Sequence, residues 1–138
     1  MNPHLRVTLV QTELAWQAPA TNRRALAAHF RGLVGHTDLV VLPEMFSTGF
    51  SMDAEGLAET MDGPTVDWMR EEAAALGCVI TGSLIVRDGA QCYNRLVWAR
   101  PDGSTDHYDK RHLFRVAGEQ DHFVPGSRRV VIEAKGWR

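Results

Sequence analysis

Residues 38–50 read DLVVLPEMFSTGF, and the first half of that stretch decides the fold class. Asp38–Leu42 is short and almost wholly apolar, the pattern of a strand covered on both faces of a sheet. Pro43 ends it, because proline cannot donate to a strand ladder. Working outward, Leu5–Val10 (LRVTLV) is an earlier strand, β-branched and bounded by Pro3 and Gln11. Between the two, Thr21 caps a helix that runs to about Gly35. Leu26, Phe30, Leu33 and Val34 share one face of it, and Arg23, Arg24 and Arg31 fall off that stripe. Glu44–Gly63 has few periodic signals and reads as a long, ordered loop. Pro64 opens a second helix, with Val66, Met69, Ala73 and Leu76 on one face and Gly77 as its stop. Cys78–Val86 is a third strand, and Arg87-Asp88-Gly89 turns it into a fourth, Gln91–Ala99. Pro101-Asp102-Gly103 leads into a fifth strand through Tyr108, and Arg129–Ala134 reads as a sixth. This order points to an α/β protein with a mixed sheet and helices on its outer face.

Composition narrows the function classes without choosing among them. The chain has 138 residues, one domain by length. Its 15 Lys+Arg against 17 Asp+Glu give a net charge of -2, which argues against nucleic acid or an anionic membrane as the main partner. Hydrophobic residues at 44% and charged residues at 23% are globular values and exclude intrinsic disorder. No apolar run approaches the ~18 residues that a bilayer requires. The opening MNPHLRVTLV runs straight into a polar Gln-Thr-Glu, unlike a secretory leader. Two cysteines form neither a disulfide framework nor a zinc pattern. A cytoplasmic protein is the expectation.

Three residues then stand out as carriers of chemistry. Glu44 lies just past the carboxyl end of a buried strand, where sites in α/β sheets form. It reads either as a general base, with Phe46 and Phe50 walling it from water and raising its pKa, or as a solvated loop glutamate. Lys110, in HYDKRHLFRVAGEQ, is either held partly buried beside a carboxylate to stabilise an oxyanion, or is a surface lysine in a basic loop. Glu119 follows Gly118, which allows a turn that aims the side chain inward; a solvated glutamate is the alternative. His107, His112 and His122 lack metal-ligand spacing, so no metal is expected. Cys78 reads as inert packing, and Cys92 has nothing nearby in sequence to activate it as a nucleophile. The glycines make no phosphate-binding loop.

Read together, VTLVQTELAWQ, DLVVLPEMFSTGF, ITGSLIVRDGAQCYNRLVWARPDG and YDKRHLFRVAGEQDHFVPG resemble the nitrilase, or carbon–nitrogen hydrolase, superfamily across nearly the whole chain. The wording of PEMFSTGFSM and KRHLFRVAGEQ is most similar to the omega-amidase branch, whose members hydrolyse the terminal amide of 2-oxoglutaramate and 2-oxosuccinamate. The resemblance implies an α-β-β-α sandwich with mixed sheets, of which this chain is about the N-terminal half. It assigns the catalytic glutamate to Glu44, the catalytic lysine to Lys110 and the supporting glutamate to Glu119. Phe46 and Arg115 are the expected substrate-binding residues, Arg115 as a cation for a substrate carboxylate. No cofactor and no metal are implied; a small-molecule amide is the partner, and a homodimer or larger homo-oligomer is the expected assembly. The family nucleophile is a cysteine that follows the segment resembling VVIEAKGWR, and Arg138 comes a few residues before it. These 138 residues alone are therefore expected to be inactive. Another amidase or an N-carbamoyl hydrolase of the same superfamily, and a non-catalytic nitrilase-like binding module, are the alternatives.

Overall fold

A computed structural model describes residues 4–138 and arranges them around one five-stranded sheet in the order β1-β2-β3-β4-β5. β1 (Val7–Leu9), β2 (Leu39–Val41) and β3 (Val79–Asp88) run parallel. β4 (Gln91–Ala99) and β5 (Thr105–Asp109) return antiparallel. Parallel neighbours need a crossover. Here α1 (Pro19–His29) links β1 to β2, and α3 (Pro64–Leu76) lies between β2 and β3. The mixed sheet with an outer helical layer is the architecture that the order of elements calls for. Pro3, the expected leading boundary of the first strand, lies outside the described residues, as does the start of the stretch weighed as a leader.

The helices cover one face of the sheet. Leu26 and Phe30 from the α1 region and Val66, Met69, Ala73 and Leu76 from α3 pack on Val40, Ile80, Leu84, Val86, Val97 and Ala99. Alternate residues point to the opposite face, so Thr81, Ser83, Asn94, Leu96 and Tyr108 line a cavity there. That second face is covered only in part. On β1, Val7 and Leu9 remain largely exposed.

Several expected boundaries move, each for a physical reason. α1 begins at Pro19 and not at a Thr21 cap, because the fixed φ of proline suits the first helical turn. The Asn22 side chain, inside α1, instead clamps the preceding loop, accepting from Ala15 N–H and donating to the Ala15 and Ser47 carbonyls. The helix stops at His29, short of Gly35, and Val34 is left exposed. A short helix, α2 (Ala54–Leu57), interrupts the expected loop, its Asp53 side chain accepting from Gly56 N–H. β3 runs on through Arg87 and Asp88, placing the turn at Gly89-Ala90.

The sixth strand is a correction. Among the described residues Arg129–Ala134 pairs with no strand, and only an isolated bridge joins Ala134 to Trp137. Val130, Ile132, Ala134 and Trp137 face Leu96, Trp98 and Tyr108 across a cavity of about 690 Å³, so the alternating side chains find an apolar face while the backbone finds no ladder. Lys135 anchors the segment by an ion pair with the buried Asp38 carboxylate. Arg6 grips the same carboxylate, with N···O separations of 2.8 and 3.2 Å. The Arg6 guanidinium, then Lys135, hold Asp38 far below the usual carboxylate range.

Gly82 on β3 lies close against the side chains of Leu42 and Phe46, from the end of β2 and the loop that follows it. A Cβ there would stand 2.8 Å from both Leu42 Cβ and Phe46 Cδ1. Gly82→Ala is expected to cost about 1–3 kcal/mol through overpacking, read as a lowered denaturation midpoint with an unchanged denaturant slope.

Candidate active site

Glu44 is positioned by a turn at the carboxyl end of β2. Leu42 N–H still donates to the Thr81 carbonyl, so the strand direction persists to the proline. The chain then reverses at Met45, whose φ is +48°, a left-handed conformation uncommon outside glycine. Ser83 of β3 holds it there: Met45 N–H donates to Ser83 Oγ at 2.9 Å and Phe46 N–H to the Ser83 carbonyl at 3.1 Å. The Met45 and Phe46 side chains go fully into the core, and Glu44 is left pointing out.

Lys110 is carried by the end of β5. Its N–H donates to the Asn94 carbonyl, and its own carbonyl accepts from Gly126 N–H, both at 3.0 Å. Only glycine permits that second contact, since a Cβ on Gly126 would lie 2.1 Å from the Asp109 carbonyl oxygen. Beneath it Arg95 and Asp109, directly opposite each other on β4 and β5, form a two-bond ion pair at 2.6 and 3.0 Å, and Asp88 adds a third contact at 3.1 Å. Glu119 arrives from a loop of two 3₁₀ turns, Arg115–Ala117 and Glu119–Asp121. Gly118 between them has φ +73°, and the glutamate behind it is fully buried, turned inward as one sequence reading allows.

These three side chains meet. Lys110 Nζ donates to Glu44 Oε1 and to Glu119 Oε2, each at 2.8 Å. Glu119 Oε2 also accepts Phe114 N–H at 2.6 Å. A fourth residue, missed by the sequence reading, completes the group: Asn94 Nδ2 donates to Glu44 Oε1 at 2.7 Å and to Glu119 Oε1 at 2.9 Å. Asn94 was visible in the YNR motif, yet nothing in the chain's order says that β4 faces two distant glutamates. The ammonium also lies 5.2 Å from the Phe50 ring centre.

Charge and burial are unevenly shared. Burial works against the Lys110 charge, but the hydrogen bonds to Glu119 and then Glu44 outweigh it, and its pKa is raised. Burial likewise pushes Glu119 upward, while Lys110, Phe114 N–H and Asn94 together bring it below its ordinary value. Side-chain exposures of 0% for Glu119, 26% for Lys110 and 49% for Glu44 grade the cluster from core to cleft. Glu44 is therefore not walled from water by the described residues, contrary to the expectation. Phe46, expected as a substrate contact, is fully buried in the core beside Trp68 and not at the surface of the cleft. Arg115 is exposed on its 3₁₀ turn.

A cavity of about 260 Å³, bordered by Thr81, Ser83, Leu96 and Tyr108, opens onto Glu44, Asn94 and Lys110. Neither cysteine has the surroundings of an activated thiol. Cys92 is buried beside Met45, Ile85 and Phe123, with Sγ donating to the Ala54 carbonyl, and burial pushes its pKa up. Cys78 is buried in the helix-facing core, and burial raises its pKa too. Among the described residues, no group of three or more His, Cys, Asp or Glu side chains is placed to hold a metal ion. What the cluster can do is hold a charged ammonium and a half-exposed carboxylate side by side at the edge of a cavity.

The family model for carbon–nitrogen hydrolases matches residues 6–137. The chain is 38% identical over 136 residues to omega-amidase YafV of Escherichia coli (strain K12), covering 99% of this chain and 52% of that protein. It is 26% identical over 133 residues to the 2-oxoglutaramate amidase of Bacillus subtilis (strain 168), covering 94% of this chain and 51% of that one. It superposes with a TM-score of 0.94 on XC1258 from Xanthomonas campestris, a CN-hydrolase superfamily protein solved with an arsenic adduct in its active site. Identity there is 50%, covering 96% of this chain and 50% of that chain. The chain thus spans about half the length of the relatives it matches.

The shifts of Glu119 and Lys110 set a pH window. The lowered Glu119 pKa contributes stability that is full above the ordinary glutamate value of about 4.3 and is lost as pH falls through the folded value. The raised Lys110 pKa contributes stability that is full below about 10.4 and is lost as pH rises through its folded value. Chemical denaturation across pH is expected to show a plateau between these limits, and Lys110→Met should remove the alkaline loss. Ser83→Ala should orphan Met45 N–H and cost about 1–3 kcal/mol, measured by the same unfolding curves.

Proposed function

Because the chain belongs to the carbon–nitrogen hydrolase family, we propose that it is the N-terminal part of an omega-amidase-like hydrolase. The parent protein converts the terminal amide of a small 2-oxo acid, of the 2-oxoglutaramate or 2-oxosuccinamate type, to a carboxylate and ammonia. The observation that carries this reading is the Lys110 ammonium shared between half-exposed Glu44 and buried Glu119, at 2.8 Å from each, at the mouth of a cavity.

The attacking group in this reading is a cysteine thiol from sequence beyond Arg138. Glu44 takes the thiol proton, and the thiolate adds to the amide carbonyl carbon. Lys110 has three N–H donors and uses two on the carboxylates, so the third serves the oxyanion together with a backbone N–H. Collapse of the tetrahedral adduct expels the amine nitrogen, which Glu44 protonates as ammonia leaves, and a thioester remains. Glu44 then deprotonates a water that attacks the thioester, and the sulfur leaves with the proton. Glu119 never touches substrate; its buried carboxylate keeps Lys110 charged and in place. The rest of the parent protein covers the sheet face that carries Leu9, Leu96 and Trp98, which also shields Glu44 from bulk water. Arg115 pairs with the substrate carboxylate.

The decisive experiment joins intact mass to ammonia release on 2-oxoglutaramate. A mass well above 15.4 kDa with ammonia release fits the proposal, and Glu44→Gln should then abolish turnover while preserving the fold. Lys110→Met should lower kcat by at least about 10²-fold, the typical loss of an oxyanion donor. Arg115→Ala with an unchanged KM would remove that residue from the pocket. Release of ammonia from an N-carbamoyl amino acid, and none from 2-oxoglutaramate, would move the protein to another branch. Full-length protein, of mass well above 15.4 kDa, that folds yet releases no ammonia from any amide would sink the amidase reading and favour a binding module.

A further inference from the structure

Glu44 has two oxygens, and the structure treats them differently. Oε1 accepts from both Lys110 Nζ and Asn94 Nδ2, at 2.8 and 2.7 Å, which fills it on the protein side. Among the described residues, Oε2 accepts no hydrogen bond. The two hydrogens of one Asn94 amide are divided between carboxylates that lie 50 and 25 residues away in sequence. Lys110 makes the same division. Two donors and two carboxylates therefore close a ring in which Glu44 cannot swing away from Lys110 without breaking a bond to β4.

The cation alone would not achieve this. A single ammonium is a point charge on a flexible stem, and a carboxylate can turn about it and exchange one oxygen for the other. Asn94 is a short amide on the middle of β4, in register with Ile85 and 2% exposed, so it has almost no freedom of its own. It is also neutral. An aspartate at this place would bring a third carboxylate to one lysine, and a lysine would add a second cation.

We propose that Asn94 is a positioning residue for the hydrolysis: its amide locks Glu44 Oε1, so that Oε2 alone is presented to the proton that moves. The same amide ties the base to Glu119, so that the base and the oxyanion lysine are set by one rigid strand. Both amide hydrogens of Asn94 are used on the two carboxylates, so neither is left to donate to the substrate. The inference rests on the amidase reading for its catalytic half, while the clamp itself is a property of the ring.

The test uses the full-length parent protein with Asn94→Leu, which keeps a similar volume and removes both donors, and Asn94→Ser, which keeps one short donor. Thermal unfolding identifies the folded variants, and ammonia release gives kcat and KM separately. Carboxyl ¹³C NMR follows the titration of Glu119, which the Asn94 hydrogen bond helps to keep ionised. Lys110, the titratable group that pairs with Glu119, is untouched in both variants. The expected result in folded Asn94→Leu is a kcat lower by about 10- to 100-fold, the worth of one hydrogen bond to a charged group. KM should stay within about threefold, and the Glu119 midpoint should move up. Asn94→Ser should fall between Asn94→Leu and wild type, and it carries the test if Asn94→Leu does not fold. A folded variant with wild-type kcat overturns the proposal. Wild type that releases no ammonia, with the Glu119 midpoint still rising in Asn94→Leu, defeats the amidase reading and reduces Asn94 to a structural clamp.

Discussion

Lys110 Nζ stands 2.8 Å from two carboxylates, Glu44 from 66 residues upstream and Glu119 from 9 residues downstream. Two carboxylates this near one another repel unless a cation lies between them, and a cation partly withdrawn from water needs compensation. Each charge is therefore tolerated because of the others. Glu119, the most deeply buried of the three, accepts three hydrogen bonds, from Lys110, Asn94 and the Phe114 N–H. The loop that carries it is held at its ends by Leu113 and Phe123, which pack with Met45 and Ile85, while Val116 stays exposed. Between those anchors the Glu119 carboxylate ties the loop to Lys110, Asn94 and the Phe114 N–H.

The sheet supplies the rigidity that the ring requires. Arg95 is the neighbour of Asn94, and Asp109 is the neighbour of Lys110; the two sit opposite each other and pair by two hydrogen bonds on the helical side of the sheet. Successive residues point to opposite faces. A buried ion pair on one side thus fixes the register of the amide and ammonium on the other. Such pairs add little net stability but are costly to break on one side only, and a one-residue slip here would exchange the two faces. Glu44 is fixed differently, by backbone. A left-handed turn at Met45, tied to Ser83, drives two large side chains into the core and leaves the glutamate outside. The local strain of that turn is balanced by the burial of Met45 and Phe46.

Much of this architecture was legible one residue at a time. The apolar run at Asp38–Leu42, the stripe Val66, Met69, Ala73 and Leu76, and the turns around Gly89 and Gly103 each encode a local choice. Periodicity, proline and glycine report such choices directly. The errors fall where the deciding partner is distant. Thr21 looks like a helix cap until Pro19 starts the helix sooner, and Asn22 shows its use only when the Ser47 carbonyl arrives. Arg129–Ala134 has the alternation of a strand, but a strand exists only if another offers its edge, and here the segment meets a sheet face. Phe46 sits two residues after Glu44 and reads as a neighbour of the site, yet the turn at Met45 sends it the other way.

The sequence by itself determined the class of fold, the family wording, and the three charged residues worth watching. Those follow from local propensity and from motifs that lie within a few residues of one another. Only the tertiary structure decided which oxygen of Glu44 is engaged, that Asn94 joins the group, that Phe46 leaves it, and how deeply each charge is buried. These are matters of side-chain direction and long-range distance. They are set by strand register and by a single left-handed turn, and no local pattern of residues specifies either.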